Sequence, residues 1–136
     1  MARDDLGVRV EKVATKKVKD GRPTVEKNIV GWANRVLQLG AYVDPSSAEV
    51  ATIQVGEVFV MMVGGKHELP ISATAGDAPV GTVEGDLLFI KAADNTIKKA
   101  KTKEYMPLGV VEEVDAVRGV ALVNTNELNA FLLATE

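Results

Sequence analysis

Apolar residues recur along the chain in short runs of strand length. The runs are Val50 to Val55, Val58 to Val63, Gly81 to Val83, Leu87 to Ala92, Ile97 to Ala100, Leu108 to Val111 and Val117 to Val123. They are rich in Val and Ile and are bounded by Gly, Asp, Asn and Pro, the residues that end strands and make turns. Branched side chains sit well on a pleated surface and lose rotamer freedom in a helix, so the pattern predicts a mainly β fold, a small β-barrel or sandwich. The clearest local unit is Gly85 to Lys99. Asp94-Asn95 tolerates the positive φ of a tight turn, which predicts a hairpin there. Gly64-Gly65 suits another hairpin tip, and the Gly-Asp pairs at 76–77 and 85–86 suit turns. Helical spacing is confined to Asn126 to Leu133, where Leu128, Phe131 and Leu132 share a face and Asn126 suits a cap. Between Asn28 and Gly40, the spacing of Ile29, Trp32, Val36 and Leu37 suits a short helix, while Val36 and the flanking glycines suit extended chain. Asp44-Pro45-Ser46-Ser47 reads as a turn.

Before residue 28 the apolar residues are few and mostly Val. The reading is therefore an extended basic N-terminal arm over 1–27, ordered only against a partner, followed by a single β-rich domain over 28–136 with a short C-terminal helix. Val8 to Val13 alternates well enough to be an integral strand instead. Charge sharpens the picture. Residues 1–35 hold nine Lys/Arg against five Asp/Glu, and residues 36–136 hold seven against fourteen, so +4 and −7 make up the net −3 of the chain. A basic front suits an acidic partner surface, or it is a solvated tail.

Composition removes several classes of function. The 136 residues contain no cysteine, which excludes disulfides, thiolate metal sites and a cysteine nucleophile. No apolar run approaches the roughly 18 residues of a membrane-spanning helix, and the charged start Met1-Ala2-Arg3-Asp4-Asp5 leads into no apolar core of a secretory signal. The expectation is a protein made and kept in a cytoplasm, with no membrane partner. Length favours one core rather than two.

Candidate chemistry is sparse. The one histidine, His67, has no second His or Cys at zinc spacing; beside Glu68 and Ser72 it forms no triad by sequence, and it reads as an ordinary loop residue. Gly64-Gly65-Lys66 lacks the upstream glycine and following helix of a phosphate loop. Glu112, Glu113 and Asp115 form an acidic cluster suited to a hard cation, more simply read as a solvated turn. Asp77 and Asp86 each follow a glycine in a turn, a poor setting for acid–base work. Lys91 lies within a strand with no flanking methionine, unlike the modified lysine of swinging-arm domains. Aromatic residues are 4% of the chain and none interleaves with the basic run, so specific nucleic-acid reading is not expected. No enzyme activity, metal or cofactor is expected.

Five segments carry a family likeness: Val55-Gly56-Glu57-Val58-Phe59-Val60; Ile71 to Gly76; Gly85-Asp86-Leu87-Leu88-Phe89 with the hairpin through Ile97-Lys98; Leu108-Gly109-Val110-Val111-Glu112; and Gly119 to Asn124. Their order resembles the phage head-decoration, or capsid cement, proteins of compact β-barrel type, over about half the chain. The resemblance implies a structural protein of the virion on the outer capsid surface, with the major capsid protein as partner, often as a homotrimer at three-fold positions with its N-terminal arm along the shell. With the basic front, it makes Arg3, Arg9, Lys12, Lys16, Lys17, Lys19, Arg22 and Trp32 the expected capsid-binding residues. The long Asn28 to Asp44 region departs from the shortest members. The alternatives are another phage structural subunit, such as a head-to-tail connector or tail-tube protein, or a small ligand-binding β-barrel.

Overall fold

The computed structural model of the protein describes residues 8–35, 52–99 and 102–125. Eleven strands lie in these residues: β1 Val8–Val13, β2 Val18–Lys19, β3 Pro23–Glu26, β4 Ile29–Arg35, β5 Thr52–Ile53, β6 Val58–Val63, β7 Lys66–Pro70, β8 Leu87–Lys91, β9 Ile97–Lys98, β10 Tyr105–Asp115 and β11 Val120–Asn124. A four-stranded sheet has the order β1-β6-β4-β3, a five-stranded sheet the order β7-β11-β10-β8-β9, and β2 pairs with β5. Every paired strand is antiparallel. The sheets are open, so the architecture is sandwich-like rather than a closed barrel.

Period-2 alternation explains why the four-stranded sheet is the middle layer. On one face Trp32 and Val25, with Val30 and Met62 beside them, join Leu69, Leu88, Ile90, Val111 and Val123 of the five-stranded sheet in one core. On the other face Ala33, Phe59 and Met61 pack with Ala14, Val18 and Ile53, so the small β2–β5 pair covers that side. Glycine permits the close approach of strands in both sheets. A Cβ on Gly31 would lie 2.7 Å from Met61 Cγ and Met62 O, and one on Gly109 would lie 2.5 Å from Val123 Cγ1. Gly109 follows a register shift at Pro107 in the interior strand β10, and a bulge is where a sheet tolerates the missing proline N–H.

Several sequence expectations change here. Residues 8–27 are not a free arm in this structure. β1 pairs with β6 along its whole length, Ala14, Val18 and Val25 are buried, and β3 forms a hairpin with β4. The expected boundary after residue 27 falls on the tip of that hairpin, where Lys27 and Asn28 have φ of 49° and 68°, the positive pair of a type I′ turn. The helical option for residues 28–35 gives way to β4, because Ile29, Trp32 and Ala33 serve two cores on opposite faces. Gly64-Gly65 is a corner rather than a hairpin tip: β6 and β7 belong to different sheets, and both glycines have positive φ. Gly81 to Val83 and Val117 to Gly119 are turns, and β10 is far longer than Leu108 to Val111. The β8–β9 hairpin is present, with Phe89 opposite Lys98, Ile90 opposite Ile97, and Asn95 at φ 61°. The expected helix at Asn126 to Leu133 and the turn at Asp44 to Ser47 lie outside the described residues.

Candidate functional site

Of the eight residues expected to bind a partner, the seven that are described do not all lie on the surface. Arg3 lies outside the described residues. Arg9 is exposed on β1, and Lys12, on the other face of the strand, is half-buried. Lys17 and Lys19 are exposed around β2. Three others are engaged within the fold. Lys16 Nζ donates to the carbonyls of Val25 at 2.6 Å and Ala92 at 2.9 Å, pinning the start of the chain to the β8–β9 turn. Arg22 Nε donates to Asp77 Oδ1 at 2.5 Å. Trp32 is only 4% exposed and belongs to the main core.

Trp32 is instead half of the seam between the sheets. Its ring stacks on His67 of β7 at 4.6 Å between centroids and 14° between planes. One ring nitrogen of His67, Nε2, lies 2.7 Å from Gly64 O. His67 is thus a half-buried strand residue, not the loop residue expected. Burial lowers its pKa below the ordinary 6.5, partly offset by the Gly64 carbonyl, which favours the protonated ring. Trp32 Nε1 is buried without a hydrogen-bond partner among the described residues, a local cost in the core.

A second cluster joins the sheets at Asn95. This residue is buried; its Oδ1 accepts from Val25 N at 3.2 Å and its Nδ2 donates to Thr24 Oγ1 at 2.9 Å. Nearby Glu26 is 2% exposed and accepts from Thr15 Oγ1 at 2.8 Å. These groups are consumed by internal bonding, which is the chemistry of a joint rather than of a reaction.

The residues weighed for catalysis or metal binding are placed apart. Asp77 is buried, holds Arg22 and accepts from Ser72 Oγ at 2.8 Å, closing the loop that follows β7. Asp86 accepts from Val83 N at 2.8 Å and lies 3.5 Å from Lys99 Nζ. Glu112 is in β10, not a turn; Asn124 donates to it at 2.8 Å and Lys66 lies at 3.2 Å, and these bonds hold its carboxyl below the usual range. Glu68 accepts a two-pronged bond from Arg118 at 2.9 and 3.0 Å, which lowers the carboxyl and raises the guanidinium. Lys91 lies 3.5 Å from Glu104. No group of three or more metal-ligating side chains occurs among the described residues.

What the sequence reading missed is that three valines stand exposed on loops around the five-stranded sheet. Val80, Val83 and Val117 are 71%, 57% and 97% exposed. Val80 and Val83 stand in the β7–β8 connection, Val80 beside Thr96 and Ile97 of the β8–β9 hairpin, and Val117 stands in the β10–β11 turn. The loops are well tied. Thr82 Oγ1 donates to Pro79 O at 2.6 Å, and Asp115 Oδ1 accepts from the amides of both Val117 and Arg118 at 3.1 Å. Read as strand residues, Val83 and Val117 looked like core. The Asp115-Ala116-Val117-Arg118-Gly119 composition was the available signal of a turn. No protein-family model matches the chain, and no curated protein and no solved structure matches it.

Proposed function

We propose that this chain is a structural protein that decorates the outer surface of a phage capsid and reinforces the shell by binding across its subunits. The observation that carries the binding part is the exposure of Val80, Val83 and Val117, apolar side chains held in water by loops with satisfied turn hydrogen bonds. Exposed apolar side chains on hydrogen-bonded loops, one of them next to the Glu68–Arg118 pair, suit contact with another protein. The capsid as partner rests on the resemblance of the strand and turn segments to cement proteins. Reinforcement then follows from linkage: a protein that binds only the assembled lattice stabilises it by its binding free energy, multiplied over many sites. Residues 8–27 contribute to the domain itself, so in this reading the exposed valines of the loops replace the basic front in attachment.

The test is co-sedimentation of purified protein with mature phage heads lacking their decoration. Binding by the wild type, and its loss in Val80→Asp/Val117→Asp with an unchanged melting temperature, supports the reading. Absence of binding to mature and precursor heads alike refutes it.

A further inference from the structure

The middle sheet has two edges, and they differ in chemistry. At the β3 edge, Val25 N donates to Asn95 Oδ1 and Val25 O accepts from Lys16 Nζ, so side chains close the backbone against further pairing. At the β1 edge the described residues provide no such closure. Among the described residues β1 pairs with β6 alone, and no side chain bonds the backbone of Val8 to Val13. An open edge is a template for another strand.

We propose that β1 takes the β1 strand of a second copy of this chain, antiparallel, about a two-fold axis through Val10. The two four-stranded sheets then form one continuous eight-stranded sheet. Sequence selects both the partner and the register. Opposed residues in a sheet must share a face, so a two-fold axis normal to the sheet passes through a residue that faces its own copy. Centring on Arg9, Glu11 or Lys12 sets that charge against itself. Centring on Val10 sets Val10 against Val10, Arg9 against Glu11 of the second copy, and Glu11 against Arg9 of the second copy. Val8, which is 66% exposed, then lies opposite the aliphatic stem of the second copy's Lys12.

Arg9 and Glu11 are exposed, and neither forms an ion pair among the described residues. Charge on an edge strand ordinarily discourages pairing, but alternating Arg and Glu two residues apart repels foreign strands while matching this one inverted copy of itself. The inference is independent of the capsid reading, and it differs from the three-fold assembly that the resemblance implies.

The experiment is sedimentation equilibrium on the full chain at low salt across the accessible concentration range, with Arg9→Glu, Glu11→Arg and the double exchange. Circular dichroism shows whether each variant is folded. A monomer–dimer equilibrium is expected. Each single change turns two attractive cross-strand pairs into repulsive ones and weakens dimerisation by about tenfold or more. The double exchange recreates the same pairs with the signs reversed and restores the wild-type constant. A monomer at every concentration, a trimer, or a dimer indifferent to the single changes overturns the proposal. So does a folded double exchange that fails to recover. None of these readouts involves phage heads, so failure here and failure of the attachment reading are separable.

Discussion

Replacing Asn95 by Ala tests whether the β8–β9 turn is bonded into the middle sheet or merely lies against it. Asn95 contributes three things: a residue that tolerates φ 61°, an acceptor for Val25 N and a donor to Thr24 Oγ1. Alanine in the left-handed region costs about 1 kcal/mol. The Val25 amide, on a buried strand, loses its partner, and a buried unsatisfied group costs about 1–3 kcal/mol. Thr24 is fully buried and its hydroxyl is freer to find another partner, so its loss adds less. Together the change should destabilise the fold by roughly 2–4 kcal/mol. Asn95→Gly separates the terms, since it removes the conformational cost and keeps the loss of both hydrogen bonds. It should therefore fall about 1 kcal/mol short of the alanine variant. Urea denaturation at constant slope measures both, and amide exchange at Val25 should accelerate in both. A cost under about 0.5 kcal/mol for Asn95→Ala would show that water or a neighbour replaces the amide, and would refute the joint.

Three further outcomes follow from named contacts. The folded pKa of His67 lies below 6.5, so between that folded value and 6.5 the unfolded chain binds more protons; stability should fall as pH drops through about 6.5, and His67→Phe should flatten this part of the curve in pH-resolved thermal melts. The carboxylates Glu68, Asp94 and Glu112 are also depressed, and their loss comes in a lower window, below their ordinary 3.8–4.5. Gly109→Ala should cost roughly 1–3 kcal/mol by overpacking, and Val123→Ala in the same chain should not recover it, because the added Cβ still lies 2.9 Å from Asn124 O; full recovery in denaturant titrations would count against the close approach. Deleting residues 1–13 should lower stability by ~3 kcal/mol or more, since it strips the hydrogen bonds of one edge of β6 and removes Val10 and Lys12, the cross-strand neighbours of Met61 and Phe59; an unchanged melting temperature would mean that β1 is dispensable.

The sheet-forming segments were legible because Val and Ile alternate with turn residues, and the β8–β9 hairpin because Asp94-Asn95 is turn chemistry. The start of the chain was not. Val18, Thr24 and Val25 look isolated among lysines, and only pairing with β4 and β5, remote in character or in sequence, shows that they complete two cores. The segment around Trp32 read ambiguously, because Ile29, Trp32, Val36 and Leu37 suit a short helix while Val36 and the flanking glycines suit extended chain; a strand buried on both faces has no alternation to betray it. The exposed valines misled in the opposite direction. Apolar character alone cannot separate Val117, almost fully exposed, from Val123, fully buried.

The charge asymmetry of the sequence is also not an asymmetry of available surface. Of the cations counted in the front segment, Lys16 is spent on two internal carbonyls and Arg22 on a buried carboxylate, while Arg9, Lys17 and Lys19 remain exposed. A cation committed to the interior cannot also hold an acidic partner without breaking the joint it makes, at the cost of leaving carbonyls or Asp77 unpartnered. Attachment through the front of the chain would therefore rest on few charges and be screened by salt over about 8–10 Å. Attachment through Val80, Val83 and Val117 removes apolar surface from water and is largely indifferent to ionic strength. The two proposed contacts thus answer to different variables, salt for the β1 edge and apolar area for the loop valines, and they would not compete for the same residues.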